Sequence, residues 1–175
     1  MDNKENKKEK TEKQIIGDLG EHFAANYLTS RHFVIKEKNY RKKWGELDII
    51  AEKDSELRFV EVKSVVTRGP VSRVTLLGLL LWRVSCETPY KSNPNSVTRE
   101  TASRRDETSD YFPEENIHLW KQRRMARAIQ TYLLEKCISE DKEWQIDVIA
   151  VFLDFSEKRA IIRHLEDVVF DIKVA

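Results

Sequence analysis

The sequence predicts an α/β fold, a sheet with helices packed on its faces. Two observations lead there. Residues 45–63 (GELDIIAEKDSELRFVEVK) and 145–165 each hold two runs rich in β-branched and aromatic residues around a polar centre, the pattern of a β-hairpin. Residues 11–30 and 117–137 instead repeat their apolar positions at helical spacing. The expected order is α-β-β-β-(insert)-α-β-β, a central mixed sheet flanked by helices. At 175 residues the chain suits one domain with a sizeable core.

The elements follow in order. Residues 1–12 carry mixed charge and few apolar groups, and are expected to be disordered, leaving 13–175 as the domain. In the first helix, from Thr11 to Ser30, Ile16, Leu19, Phe23 and Tyr27 form the apolar stripe. Gly17 and Gly20 interrupt it, each at a cost of about 1 kcal/mol relative to Ala, which points to close packing on a sheet. Phe33 to Tyr40 reads as a first strand, and the basic loop RKKWG leads into the hairpin. An insert is expected at about 65–115. Within it, VTLLGLLLWRV (74–84) is a buried strand or a helix, and 87–115 is a long mobile loop rich in Ser, Thr, Asn, Pro and charge. Asn116 is a candidate cap for the second helix, Ile117 to Cys137, whose Lys121, Arg124 and Arg127 share one flank. The second hairpin pairs Gln145–Leu153 with Arg159–Leu165.

The first hairpin raises a chemical question. A turn at Lys53-Asp54-Ser55-Glu56 sets Ile50 opposite Phe59, Asp48 opposite Glu61 and Glu46 opposite Lys63. Alternation then puts Glu46, Asp48, Ile50, Leu57, Phe59, Glu61 and Lys63 on one face. Leu47, Ile49, Ala51, Val60 and Val62 share the other with Arg58. Like charges directly opposite one another destabilise a strand pair, and a cation between Asp48 and Glu61 would turn that repulsion into a bond. Mg²⁺ suits such a site, because it binds through one or two carboxylates and keeps several waters. The plainer alternative is a solvated sheet face. Ile50, Leu57 and Phe59 on the same face argue that something covers it.

Charge is segregated along a chain whose net charge is only +1. Arg31, Lys36, Lys38, Arg41, Lys42 and Lys43 cluster before the hairpin, and Lys121, Arg123, Arg124, Arg127 and Lys136 lie along the second helix. Two basic segments suggest a polyanion on one side of the molecule; the alternative is a pair of solvated faces. Two cysteines exclude a disulfide scaffold or a Cys-rich zinc site, and the four histidines show no ligand spacing. The N-terminal run NKKEKTEK lacks the apolar core of a signal peptide, and 74–84 is too short to span a membrane. A cytoplasmic protein with no membrane association is therefore expected. The run 74–84 should pack on the domain body or on a second copy of the chain, which makes a homodimer one expected assembly.

Asp48 followed by Glu61-Val62-Lys63 resembles the PD-(D/E)XK nuclease motif. More specific are G-x-x-G-E-x-x-A-x-x-Y-L (17–28), N-Y-R (39–41), G-E-L-D-I-I-A (45–51), F-V-E-V-K (59–63) and K-Q-R-R-M-A-R-A-I-Q-T-Y-L (121–133), ending near Gln145-Ile146-Asp147-Val148. Together they resemble the YraN family, bacterial proteins expected to be nucleases and similar in fold to archaeal Holliday-junction resolvases. The match spans 14–64 and about 113–165; the segment from Val65 to about Pro113 is longer than the family's. The resemblance implies a restriction-endonuclease-like core. It implies that Asp48, Glu61 and the backbone carbonyl of Val62 bind Mg²⁺ or Mn²⁺. Lys63 would position or activate the attacking water, and Glu21 would complete the acidic cluster, with Glu46 as an accessory group. The function so implied is metal-dependent hydrolysis of DNA, of a branched or damaged form. Arg41, Lys42, Lys43, Lys121, Arg124 and Arg127 would grip the backbone. A non-catalytic nucleic-acid-binding protein, or an interaction factor docking through the insert, is the alternative.

Overall fold

In the computed structural model, residues 10–69, 82–87 and 117–169 are described. The first helix, α1 (Glu12–Ser30), starts in a capping box: Gln14 donates its backbone N–H to the Thr11 hydroxyl, and the Gln14 side chain accepts the Thr11 N–H at 2.9 Å. Lys10 also pairs with Asp18. Thr11 and Glu12, expected to belong to a disordered segment, thus form the cap and first residue of the helix, because Thr11 supplies an acceptor for an otherwise unpaired N–H.

Among the described residues, six strands form one mixed sheet: β1 (Val34–Lys42), β2 (Gly45–Lys53), β3 (Glu56–Arg68), β4 (Arg83–Glu87), β5 (Trp144–Asp154) and β6 (Arg159–Leu165). Their spatial order is β1-β2-β3-β5-β6-β4. The neighbours β1/β2, β2/β3 and β5/β6 run antiparallel, whereas β3/β5 and β6/β4 run parallel. The helix α2 (Leu119–Glu135) sits between β4 and β5 in the chain. This is the expected α/β architecture, consistent with a restriction-endonuclease-like core. One strand is additional: β4 takes up Arg83 and Val84 from the end of the apolar run. Its pairing partner lies more than seventy residues away, so no local pattern announces it.

The two helices cover opposite faces of the first hairpin. On one face α1 packs Leu19, Phe23, Ala24 and Leu28 against Ile49, Ala51, Val60, Ile149 and Val151. On the other, α2 packs Met125, Ala128, Ile129 and Tyr132 against Ile50, Leu57 and Phe59. Gly20 is where α1 meets the sheet, since any Cβ there would overlap the Ser64 side chain. Gly17 has no such neighbour, so the packing reason expected for it does not apply. Within the sheet, the carboxylate of Asp147, fully buried, bonds His164 Nε2 (3.0 Å), Gln145 Nε2 (2.6 Å) and the N–H of Asp167 (3.1 Å). That set satisfies the acid without solvent.

The hairpin register is the expected one, with Ile50 opposite Phe59 and Glu52 opposite Leu57. The turn is tighter than expected. Lys53 pairs with Glu56, leaving a two-residue loop in which Asp54 (φ 51°) and Ser55 (φ 65°) are both left-handed. That geometry matches the twist of the flanking strands, and Asp tolerates it better than most residues. Leu47 is a second departure: it packs in the α2 cluster, not with Ile49. The second helix begins at Leu119, not Ile117; His118 stands at its cap without a side-chain bond. Asn116, residues 74–81 of the apolar run, nearly all of the loop 87–115, and the interaction reading built on it lie outside the described residues. Among the described residues, no helix is long and apolar enough to cross a membrane.

Candidate metal and nucleic-acid site

The site begins where the hairpin ladder ends. Regular β2/β3 pairing stops at Ile49 and Val60. Beyond that pair, the N–H of Val62 donates to Asp48 Oδ2 at 2.8 Å. A side-chain carboxylate thus takes a bond that a strand carbonyl would otherwise accept. Beyond that point β3 continues alongside β5 as far as Arg68 and Asp154. Asp48 and Glu61 are therefore not a ladder pair, yet they remain close enough for each other's charge to matter.

This opening is a cleft of about 390 Å³. The hairpin contributes Glu46, Asp48, Glu61, Val62 and Lys63; α1 contributes Lys13, Gly17 and Glu21; α2 contributes Lys121. Glu61 is only 2% exposed, and its Oε1 lies 3.1 Å from Lys63 Nζ and 3.3 Å from Lys121 Nζ. Lys121 also reaches Glu46 Oε1 at 3.4 Å. Glu21 accepts a 2.7 Å bond from Asn39 Nδ2, and Asn39 (φ 54°) holds a left-handed backbone that turns it toward α1. Arg41 approaches Glu46 at 3.6 Å.

Electrostatics follow from this crowding. Burial and the charge of Glu61 push the Asp48 carboxyl up from 3.8 to about 7; Glu21 adds to the rise, while the Val62 N–H and Lys121 oppose it. Lys121 feels burial, which favours its neutral form, but the carboxylates of Glu61, Asp48 and Glu46 outweigh it and raise its pKa. The acids thus hold the buried Lys121 charged, and burial keeps Asp48 hard to ionise even with Lys121 near it.

A hard divalent ion fits one feature directly. Glu61 Oε2 is buried without a hydrogen-bond partner, and a buried carboxylate oxygen left so is costly. Asp48, Glu61 and the Val62 carbonyl are the groups that could hold such an ion, with waters completing its shell. Among the described residues, no three acidic, His or Cys side chains converge tightly enough to form a closed protein cage. The residues suit an open, water-rich site and not a structural one.

Of the residues singled out in the sequence, Glu21, Glu46, Asp48, Glu61, Val62 and Lys63 line this one cleft. Lys121 joins them, although its spacing grouped it with Arg124 and Arg127. Those two arginines are exposed on α2, Arg124 over the Trp120 ring at 5.7 Å. Arg41 and Lys43 are exposed on the β1–β2 segment, whereas Lys42 is tied to Glu135 at 2.7 Å. That tie, together with the Trp44 indole N–H donating to Thr131 (2.9 Å), sets the basic loop against α2. Lys13 and Asn39 were not legible as site residues, since both act across elements, even though Asn39 opens the N-Y-R motif.

The molecule is thus an α/β domain whose splayed hairpin holds a lysine-bearing acidic cleft between two helices. The model of "Uncharacterised protein family UPF0102" matches residues 20–76, which include Glu21, Asp48, Glu61 and Lys63. The chain is 58% identical over 50 residues to a UPF0102 protein of Campylobacter fetus, covering 29% of this chain and 45% of that protein. It is 60% identical over 48 residues to one of Clostridioides difficile, covering 27% and 42%. A UPF0102 protein of Treponema pallidum is 35% identical over 75 residues, covering 43% and 60%. The matches thus span between about two-fifths and three-fifths of these relatives' lengths. UPF0102 is the YraN family, so the family model and these relatives agree with the resemblance read from the sequence.

Proposed function

We propose that this chain is a metal-dependent nuclease that hydrolyses phosphodiester bonds in DNA, in a branched or damaged form. One observation carries the reading: Asp48 and Glu61 meet where β2 and β3 part, with Glu61 Oε2 buried and unpartnered beside Lys63. Asp48, Glu61 and the Val62 carbonyl would hold Mg²⁺ or Mn²⁺, which when bound acidifies a water and offsets charge on the phosphate. The Lys63 ammonium, fixed by Glu61, orients the attacking water and faces the developing negative charge. Glu21, steadied by Asn39, draws further positive charge to the cleft. Arg41, Lys43, Arg124 and Arg127 hold the backbone through phosphate contacts, which position it without reading sequence. The loop and α2 lie against each other, which suits one continuous track for a strand.

One observation favours a second reading, a nucleic-acid-binding protein that does not cleave: Lys121 already occupies the acidic cluster. A single panel separates the two. Single-stranded, duplex, flap and four-way-junction DNA, with matching RNA, are incubated with Mg²⁺ or Mn²⁺, beside Lys63→Ala. Ion-dependent cleavage abolished by Lys63→Ala supports the nuclease. Binding without cleavage under every ion supports the second reading.

A further inference from the structure

We propose that Lys121 is the internal cation of the acidic cleft, and that a divalent ion binds by displacing it. The inference rests on the metal-site reading above and adds a competitor to it. Lys121 lies in the first turn of α2, beside residues that face solvent: Trp120, Arg123 and Arg124 are all exposed. Its own side chain is only 17% exposed, and its ammonium sits between Glu61 Oε1 (3.3 Å) and Glu46 Oε1 (3.4 Å). Ordering a long lysine chain into a partly desolvated place has an entropic cost. It is met only if the acids there need the charge.

The placing of the two ammoniums around Glu61 shows how far that need is satisfied. Both Lys63 and Lys121 fall on Oε1, while Oε2 stays buried and bare. Two monovalent cations at one oxygen neutralise the carboxylate without completing its coordination. A divalent ion reaching the bare oxygen would stand beside the Lys121 ammonium, and like charges a few ångströms apart repel strongly where water is partly excluded. Lys63 carries the same charge, but it projects from the same strand as Glu61, two residues on, so its backbone stays beside the acid whatever the ion does. Lys121 comes from another element, at the start of a helix whose cap residue His118 makes no side-chain bond and whose first turn has no acid. Lys121 therefore yields. Its ammonium, once released, remains beside the cleft as a free cation for a phosphate group.

The test is calorimetric titration of Mn²⁺ into the full chain, its Lys121→Met and its Lys121→Arg variants. Thermal melts in EDTA and in saturating Mn²⁺ accompany it. Lys121→Met, which keeps length and removes charge, should bind Mn²⁺ at least about tenfold more tightly. It should melt below the unmutated chain in EDTA and recover in Mn²⁺, whereas Lys121→Arg should stay near the unmutated chain. An equal or weaker Mn²⁺ affinity in Lys121→Met overturns the inference and leaves the metal site standing. Binding by neither protein overturns the metal-site reading and this inference together. Binding only by Lys121→Met supports the inference, with the ammonium as the stronger competitor. Should Lys121→Met not fold, the unmutated chain decides: the Lys121 Cε–H correlation should move to an exposed position on Mg²⁺ addition, and a static resonance refutes displacement.

Discussion

Replacing Asp48 with Asn should stabilise the metal-free protein, and only above a certain pH. Burial and the Glu61 charge raise the Asp48 pKa from 3.8 to about 7. Between those values the folded chain holds a proton that the unfolded chain has released, so stability falls as pH rises from about 4 to 7. Above that window the loss is complete and constant. At about 1.4 kcal/mol per pKa unit, the ceiling is about 4 kcal/mol. Water entry and side-chain movement reduce such a figure, so a gain of about 1–3 kcal/mol is expected for Asp48→Asn at pH 8. The amide oxygen still accepts the Val62 N–H, and the volume hardly changes, so little else is disturbed. Urea unfolding of both proteins in EDTA, from pH 4 to pH 8, measures the difference directly. The variant's advantage should grow from near zero at pH 4 to its plateau above pH 7. Saturating Mn²⁺ should erase or reverse it, because the ion favours the ionised acid. A difference that does not change with pH, or an Asn variant weaker than the parent at pH 8, would refute the repulsion argument.

Three further outcomes are expected. Replacing Arg124 and Arg127 together with Ala should weaken DNA binding about equally across sequences and flatten the slope of log K against log salt by about 0.9 for each phosphate no longer neutralised; an unchanged slope means the flank does not touch the backbone. Gly20→Ala should destabilise by about 1–3 kcal/mol in urea unfolding, because its methyl would overlap the Ser64 side chain; an unchanged midpoint would mean α1 can lift off β3 freely. Glu52 is held down to about 2 by Lys142 and Lys36, so Glu52→Gln should be less stable at pH 7, with the deficit shrinking as pH falls below about 4.5; a deficit equal at pH 7 and pH 3 would contradict the ion pairs.

What could be read from the chain, and what could not, divides by the range of the interactions. The register of the first hairpin was legible because Ile49, Ile50, Ala51, Phe59 and Val60 fix which residues can face a core, and a one-residue slip would expose them. The turn length was not, because Lys53 and Glu56 are polar and could pair or loop with equal ease. Leu47 was assigned to the wrong cluster for a reason that concerns the site itself. Strict alternation assumes a continuous ladder, and the ladder ends beside Asp48, where a carboxylate takes the Val62 N–H. The acids on the hairpin followed from local pattern, whereas Glu21 came only from the family resemblance, because nothing in α1 says which end of the sheet it meets. Lys121 shows the limit most clearly. Its i, i+3, i+6 spacing with Arg124 and Arg127 suggested one outward flank. A helix face is wide, though, and a first-turn lysine at its edge can reach acids sixty and seventy-five residues away. The strand β4 was hidden for the same reason, since its hydrogen bonds go to β6.

The central claim is that the splayed end of the β2/β3 hairpin is a divalent-cation site. Anomalous scattering from crystals of this protein soaked in Mn²⁺ tests it most directly. A peak within bonding distance of Asp48, Glu61 and the Val62 carbonyl, with the Lys121 ammonium moved off Glu61, is the result expected. A map with no peak in that cleft, and Lys121 still paired with Glu61 at saturating Mn²⁺, would contradict the account.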